Sequence, residues 1–253
     1  MVYVLADNII SPLGDTSEDN YQAVKAGKSA IRAYAPMTDG IPDGFIASLM
    51  SADFEDLVFR SAGKAIEASG INVADARSVF ILSSTKGAIE GLGKDADENL
   101  YLGETAQRIA TRLGFTTRPV VVCNACISGS AAMILASRLL QLGTYDHVVV
   151  CGADCPQRFI VSGFQSLNAM SAESCRPFDI ERQGLNLGEA AATVVLSSRL
   201  PAGEQATNKS DKRFWTIGHG HIKNDAFHIS APSKTADGLL EALQQTMESV
   251  GKD

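Results

Sequence analysis

Residues 120–143 constrain this chain more than any other stretch. Three β-branched residues, Val120 to Val122, suit a strand, and the chain then passes through Asn124 and Ala125 into a segment with helical spacing. Ile127, Ala131, Ile134, Leu135, Arg138, Leu139 and Leu142 recur at three- and four-residue steps, and Gly143 stands where a left-handed cap would end the helix. The opposite face carries Ala132, Met133, Ala136 and Leu140, and Arg138 is the only charge between Pro119 and Tyr145. A helix without a solvated stripe is expected to be buried on all sides, at the core of the fold.

Cys126 stands at the junction of this strand and helix. The unpaired N–H groups and the positive dipole end of a helix favour negative charge on a sulfur placed there. Ser128, Gly129 and Ser130 keep the first turn small, so another molecule can approach. That arrangement is a nucleophile elbow. The competing reading is a buried structural cysteine, a common fate of free thiols. The local sequence leaves both open.

The 253 residues can bury a large core, as one domain or two intimate ones. Apolar residues make up 45% and charged residues 20%, a soluble globular balance, and no apolar run reaches the ~18 residues that would cross a bilayer. A net charge of −7 argues against general nucleic-acid binding. Five cysteines without a secretory signal point to reduced thiols and a cytoplasmic protein.

In chain order, Val2–Ile10 reads as a strand, and Thr16 with Asp19 as a helix start running towards Gly27. Residues 33–51 read as irregular. Asp53 caps an amphipathic helix stopped by Gly70, Ser78–Ser83 is a buried strand, and a helix through Ala106, Ile109, Ala110 and Leu113 ends at Gly114. His147–Cys151 is a strand, residues 156–187 a long functional loop, and Ala190–Leu196 another strand. Residues 201–212 form a connector, Phe214–Ile222 a strand and Thr235–Val250 a closing helix. Alternating strands and helices predict an α/β protein with mainly parallel sheets.

Several blocks together resemble the β-ketoacyl-acyl-carrier-protein synthases of the thiolase-like superfamily. They are Asn124-Ala-Cys-Ile-Ser-Gly129, Cys151-Gly-Ala-Asp154, Ser162 to Ser171, Cys175 to Gly184, Leu187-Gly-Glu-Ala-Ala191 and Asn224 to Pro232, in the family's order. The resemblance implies a layered αβαβα architecture, with residues 1–200 as the N-terminal half and 201–253 as a connector and the first strand and helix of a second half. It implies that Cys126 accepts an acyl group, that Phe164 gates the acyl pocket and that His228 lies towards its entrance. The substrate would arrive on the phosphopantetheine of an acyl-carrier protein, with no resident cofactor or metal. The partners implied are that carrier protein and a second subunit, as a homodimer or as a heterodimer with a full-length ketosynthase; a membrane or nucleic acid is not among them. The implied reaction is decarboxylative condensation of acyl and malonyl thioesters in fatty acid or polyketide synthesis.

The family's His-Gly-Thr motif, second histidine, lysine and glycine-rich loop are absent from these residues, so the expectation is acyl transfer without condensation by this chain alone. Two alternatives stand beside it. One is a non-condensing partner subunit akin to chain-length factors, against which the retained Cys126 speaks. The other is a metal or redox protein using Cys123, Cys126, Cys151 and Cys155. His147, His219 and His221 read as structural. Arg176, Asp179 and Arg182 read as an ion network and Glu189 as a hydrogen-bonded structural carboxylate, while Lys86, Lys94, Arg108 and Arg112 read as a solvated face or a docking patch.

Overall fold

A computed structural model describes residues 1–35, 44–93, 100–200, 214–227 and 233–249. Its centre is β4 (Ser78–Ser83), every residue of which is buried. Val79 and Ile81 join Val148 and Val150 against Ala132, Ala136 and Leu140 of one helix. Phe80 and Leu82 join Val149 and Cys151 against Phe54, Leu57, Val58 and Ile109 on the other face. A strand covered on both faces is expected to be apolar without alternation, as Val79 to Leu82 are between the terminal serines. Each fully buried residue of this size contributes about 1.5–3 kcal/mol relative to exposure.

The helices are α1 (Ser17–Lys25), α2 (Phe54–Ser69), α3 (Leu102–Leu113), α4 (Ser128–Gln141), α5 (Arg158–Ser166) and α6 (Asp237–Ser249). The expected caps form: the Thr16 side chain accepts from Asp19 N at 3.0 Å, and Asp53 accepts from Asp56 N at 2.8 Å. Gly70 ends α2 at φ +67°, a conformation that disfavours any residue with a Cβ. α2 and α3 cover one face of the sheet and α4 the other, giving α–β–α layers.

The six-stranded sheet runs β5-β4-β6-β8-β1-β9, where β1 is Val2–Ile10, β5 Val120–Val122, β6 His147–Asp154, β8 Ala190–Ser197 and β9 Thr216–Ile217. β4 pairs in parallel with β5 and β6. β8 is antiparallel to both β6 and β1, and β9 is antiparallel to β1, so the expected mainly parallel sheet is instead mixed. The cause is the connection after β6. No helix crosses back over the sheet there; the chain stays at the edge where β6 ended and re-enters it in the reverse direction as β8.

Other expectations need correction. Residues 33–51 are not wholly irregular: β2 (Arg32–Tyr34) and β3 (Phe45–Ser48) pair, and β3 also pairs with β7 (Leu187–Gly188). The loop expected at 156–187 contains α5, whose Val161 packs on Phe45, Ala47 and Leu49. The strand expected over 214–222 is only the two residues of β9. Residues 201–213, the expected connector, lie outside the described residues.

α4 also departs from expectation. Only Ser128, Ala132, Ala136, Ser137 and Leu140 are buried along it. Ile127 just before it is 42% exposed and Leu142 just after it 78%. One stripe of the helix packs on the sheet, and β5 beside it is half-buried at the sheet's margin.

Candidate active site

Strands β4, β5 and β6 all end at one edge of the sheet, where β8 begins. The segments after β4, β5 and β6 and before β8 therefore converge: Ser84 to Gly87, Cys123 to Cys126, Asp154 with Cys155, and Glu189. Open α/β sheets place their chemistry at this carboxyl end of the parallel strands.

The elbow is built after β5. Asn124 leaves the strand at φ −139° and ψ 57°, and Ala125 takes φ +46°, a left-handed conformation uncommon for a residue with a Cβ. A single 3₁₀ turn, Ala125–Ile127, follows, and α4 starts at Ser128. The Ser128 hydroxyl, itself buried, accepts from Asn124 N at 2.8 Å and donates to the Ala125 carbonyl at 2.7 Å. It locks both sides of the strained residue. The Cys126 thiol is exposed at the top of this turn. The buried-cysteine alternative is thereby excluded for Cys126. It holds for Cys151 and Cys155, which are buried.

Burial pushes the Cys151 thiol up to about 12, against a hydrogen bond with Thr193 that pulls it down. Burial pushes Cys155 higher still, and the Glu189 and Glu90 carboxylates add to the rise. Two thiols exposed and two buried do not form one ligand set, and among the described residues no group of three or more His, Cys, Asp or Glu side chains is placed to hold a metal. The four-cysteine metal reading fails on this geometry.

Glu189 is the structural carboxylate expected, with partners the sequence did not name. Its two oxygens accept Met50 N at 2.7 Å, Ser51 N at 2.9 Å and Ala52 N at 2.6 Å. Glu90 accepts Phe54 N at 3.0 Å, so two carboxylates satisfy the backbone donors leading into α2. Asp154 closes the rim. The protein packed around its carboxyl raises its pKa, opposed by hydrogen bonds with Ser84 and Thr85 and by the charge of Lys86.

Phe164 sits half-buried on α5, in the excursion on this same edge, and its carbonyl accepts Ala169 N at 3.0 Å. His228 lies outside the described residues, as does Lys94. His147 opens β6 at the opposite edge, where burial lowers its pKa and its Nδ1 has no hydrogen-bond partner among the described residues. His219 and His221 follow β9 rather than alternating within a strand.

Arg176 pairs with Glu173 at 2.9 Å and Glu181 at 3.5 Å, while Arg182 donates to the Asp179 carbonyl; the network exists with different acids. Arg108 pairs with Glu55, and Arg112 pairs with Asp56 and lies 3.7 Å over the Phe59 ring, so both are engaged with α2 and contribute little to a docking patch. Sequence reasoning missed Ser128 as the lock of the elbow. The signal was a serine four residues after Asn124, at the offset where such side chains bond local backbone.

The mixed α/β sheet with an exposed cysteine on a strained strand-to-helix elbow has counterparts among solved structures. A ketosynthase (ApeO) in complex with its chain length factor (ApeC) from Xenorhabdus doucetiae superposes at TM-score 0.78 with 21% identity, over 99% of this chain and 68% of that one. Residues 52–202 match the family model of the beta-ketoacyl synthase N-terminal domain, and the chain belongs to that family. The 3-oxoacyl-[acyl-carrier-protein] synthase 2 of Rhizobium meliloti (strain 1021) is 34% identical over 139 residues, 51% of this chain and 32% of that relative. A putative mitochondrial 3-oxoacyl-[acyl-carrier-protein] synthase of Schizosaccharomyces pombe is 27% identical over 175 residues, 66% of this chain and 40% of that relative. The matched stretches thus span less than half the length of these curated relatives. No helix among the described residues is long and apolar enough to cross a membrane.

Proposed function

We propose that this chain supplies the acyl-accepting part of a β-ketoacyl-acyl-carrier-protein synthase. The observation that carries the proposal is the exposed Cys126 on its Ser128-locked elbow, inside the matched family segment. The Cys126 sulfur attacks the thioester carbonyl of an acyl group held on carrier-protein phosphopantetheine. The carbonyl–sulfur bond to the carrier breaks, the pantetheine thiol leaves with a proton, and the acyl group stays on Cys126. The Cys126 backbone N–H is one donor for the oxyanion that forms on the way. Phe164 and His228 border the acyl chain in this reading.

Condensation with a decarboxylated malonyl thioester needs groups that stabilise an enolate. The four histidines of this sequence do not stand in the family's motifs, so the second step requires groups beyond these residues. The half-buried β5 and α4 support pairing with a second subunit, either a copy of this chain or a full-length ketosynthase. Residues 1–200 then form the N-terminal half and 201–253 the start of a second. Five free thiols support a cytoplasmic location.

Acyl-carrier protein and malonyl-carrier protein test this directly, with acyl-enzyme followed by intact mass and β-ketoacyl product by chromatography. The expected result is acylation of the wild type, none in Cys126→Ala, and no product from residues 1–253 alone. Acylation that persists in Cys126→Ala removes the proposal. A chain-length-factor role without chemistry predicts no acylation of the wild type.

A further inference from the structure

Cys123 and Cys126 stand three residues apart across the elbow, and the acyl-transfer reading uses only one of them. Both thiols are exposed, whereas Cys151 and Cys155 are buried and Cys175 lies in the excursion after α5. Cys123 follows the last residue of β5, and the backbone then departs from strand geometry at Asn124 and passes through the positive φ of Ala125 before reaching Cys126. An extended path over three steps would hold the two Cα atoms roughly 10 Å apart. A disulfide needs the two Cα atoms ~4.4–6.8 Å apart, which the chain can reach only by leaving the extended path, as it does at Asn124 and Ala125. Among the described residues the Cys123 thiol has one long hydrogen bond, to the Thr85 carbonyl at 3.8 Å, which is weak enough to give up. The two Ser128 hydrogen bonds hold the turn while the sulfurs move.

We propose that Cys123 and Cys126 close a reversible disulfide across the elbow, so that the accessible sulfur of this site is masked under oxidising conditions. The oxidant is a small-molecule disulfide. The Cys126 thiolate attacks one of its sulfurs, expels one thiol and forms a mixed disulfide. The Cys123 thiolate then attacks the Cys126 sulfur and expels the second thiol. Two protein thiols and one disulfide become one protein disulfide and two small thiols, with no other electron acceptor. Exposed disulfides, open to attack by a thiol, are the readily reduced, regulatory ones. The inference depends on the accessibility of both sulfurs and not on Cys126 accepting an acyl group.

The test treats the full chain with oxidised glutathione at neutral pH, followed by peptide mass spectrometry without reduction. The expected product is a single peptide holding both cysteines and lighter by two hydrogens, restored by dithiothreitol. Iodoacetamide labelling of Cys126 falls to background in the oxidised form and returns on reduction. Cys123→Ser should instead retain glutathione on Cys126, and its acylation when reduced should match the wild type, which separates this inference from the acyl-transfer reading. A stable glutathione adduct on Cys126 in the wild type overturns the proposal. So does a link to Cys175 or to a second chain, or two unreacted thiols.

Discussion

Glu189 offers the sharpest test of how the site edge is held together. Its carboxylate is 3% exposed and accepts three backbone N–H groups, from Met50, Ser51 and Ala52, at 2.6–2.9 Å. Ser51 is held at φ +60°, so the clamp also sustains a strained residue. Hydrogen bonds to a charged group contribute about 1.5–3 kcal/mol each, and a buried donor left unpaired costs about 1–3 kcal/mol. Glu189→Gln keeps one oxygen and turns an amide NH₂ towards the remaining donor or donors. Losing the single Ala52 bond gives a destabilisation of about 1.5–3 kcal/mol. Glu189→Ala orphans all three donors and should cost at least as much, partly offset if water enters. Urea unfolding followed by circular dichroism at pH 7 measures both, provided the slope is unchanged. Amide exchange at residues 50–52 should accelerate in parallel. A loss below about 1 kcal/mol in both variants would show that water replaces the carboxylate and that the clamp is not what orders the entry to α2.

Further expectations follow from other parts of the molecule. Brief iodoacetamide treatment at neutral pH should label the exposed Cys123 and Cys126 first, and Cys151, raised to about 12 by burial, only after unfolding; early labelling of Cys151 would contradict the packing around β6. Ser128→Ala removes both locks of the elbow and should lower the rate of Cys126 acylation more than global stability, read as acyl-enzyme formation against urea midpoint. The Arg77 hydrogen bond holds the Asp146 carboxyl below its ordinary range, so this pair stabilises the fold above the unfolded carboxylate value of about 3.9 and loses that contribution as pH falls through the lower folded value. Asp146→Asn should therefore lower stability at neutral pH and flatten its decline on acidification, as followed by thermal melts. Phe80→Ala, in a fully buried site between β4 and the α2–α3 layer, should cost about 3–5 kcal/mol in the same assay.

Much of this architecture was legible because burial and local chemistry agree. β4 is buried on both faces, and Val79 to Leu82 at its centre are apolar without interruption. α2 begins after Asp53 and ends at Gly70 because a side-chain cap and a left-handed glycine have recognisable sequence signatures. The elbow was legible for the same reason: a valine strand, a short turn and a small-residue helix admit few paths. β2 and β3 were missed because three- and four-residue strands carry too little periodicity, and because each is stabilised by pairing with the other or with the distant β7. The direction of β8 was missed because strand direction depends on the route of the preceding excursion, which its own alternating burial does not encode.

The error about α4 is more informative, because its premise held and its conclusion did not. The helix does lack a charged stripe apart from Arg138, and apolarity on every side does predict cover on every side. Among the described residues the sheet covers only one stripe. Periodicity registers the total demand for burial and cannot distinguish a sheet of the same chain from a surface outside it. The apolar margin left on α4 and the half-buried β5 flank Cys126 in both sequence and space. The residues that carry the proposed chemistry and those that require cover thus belong to one element pair. Anything that covers the margin of β5 and α4 therefore bears on access to Cys126.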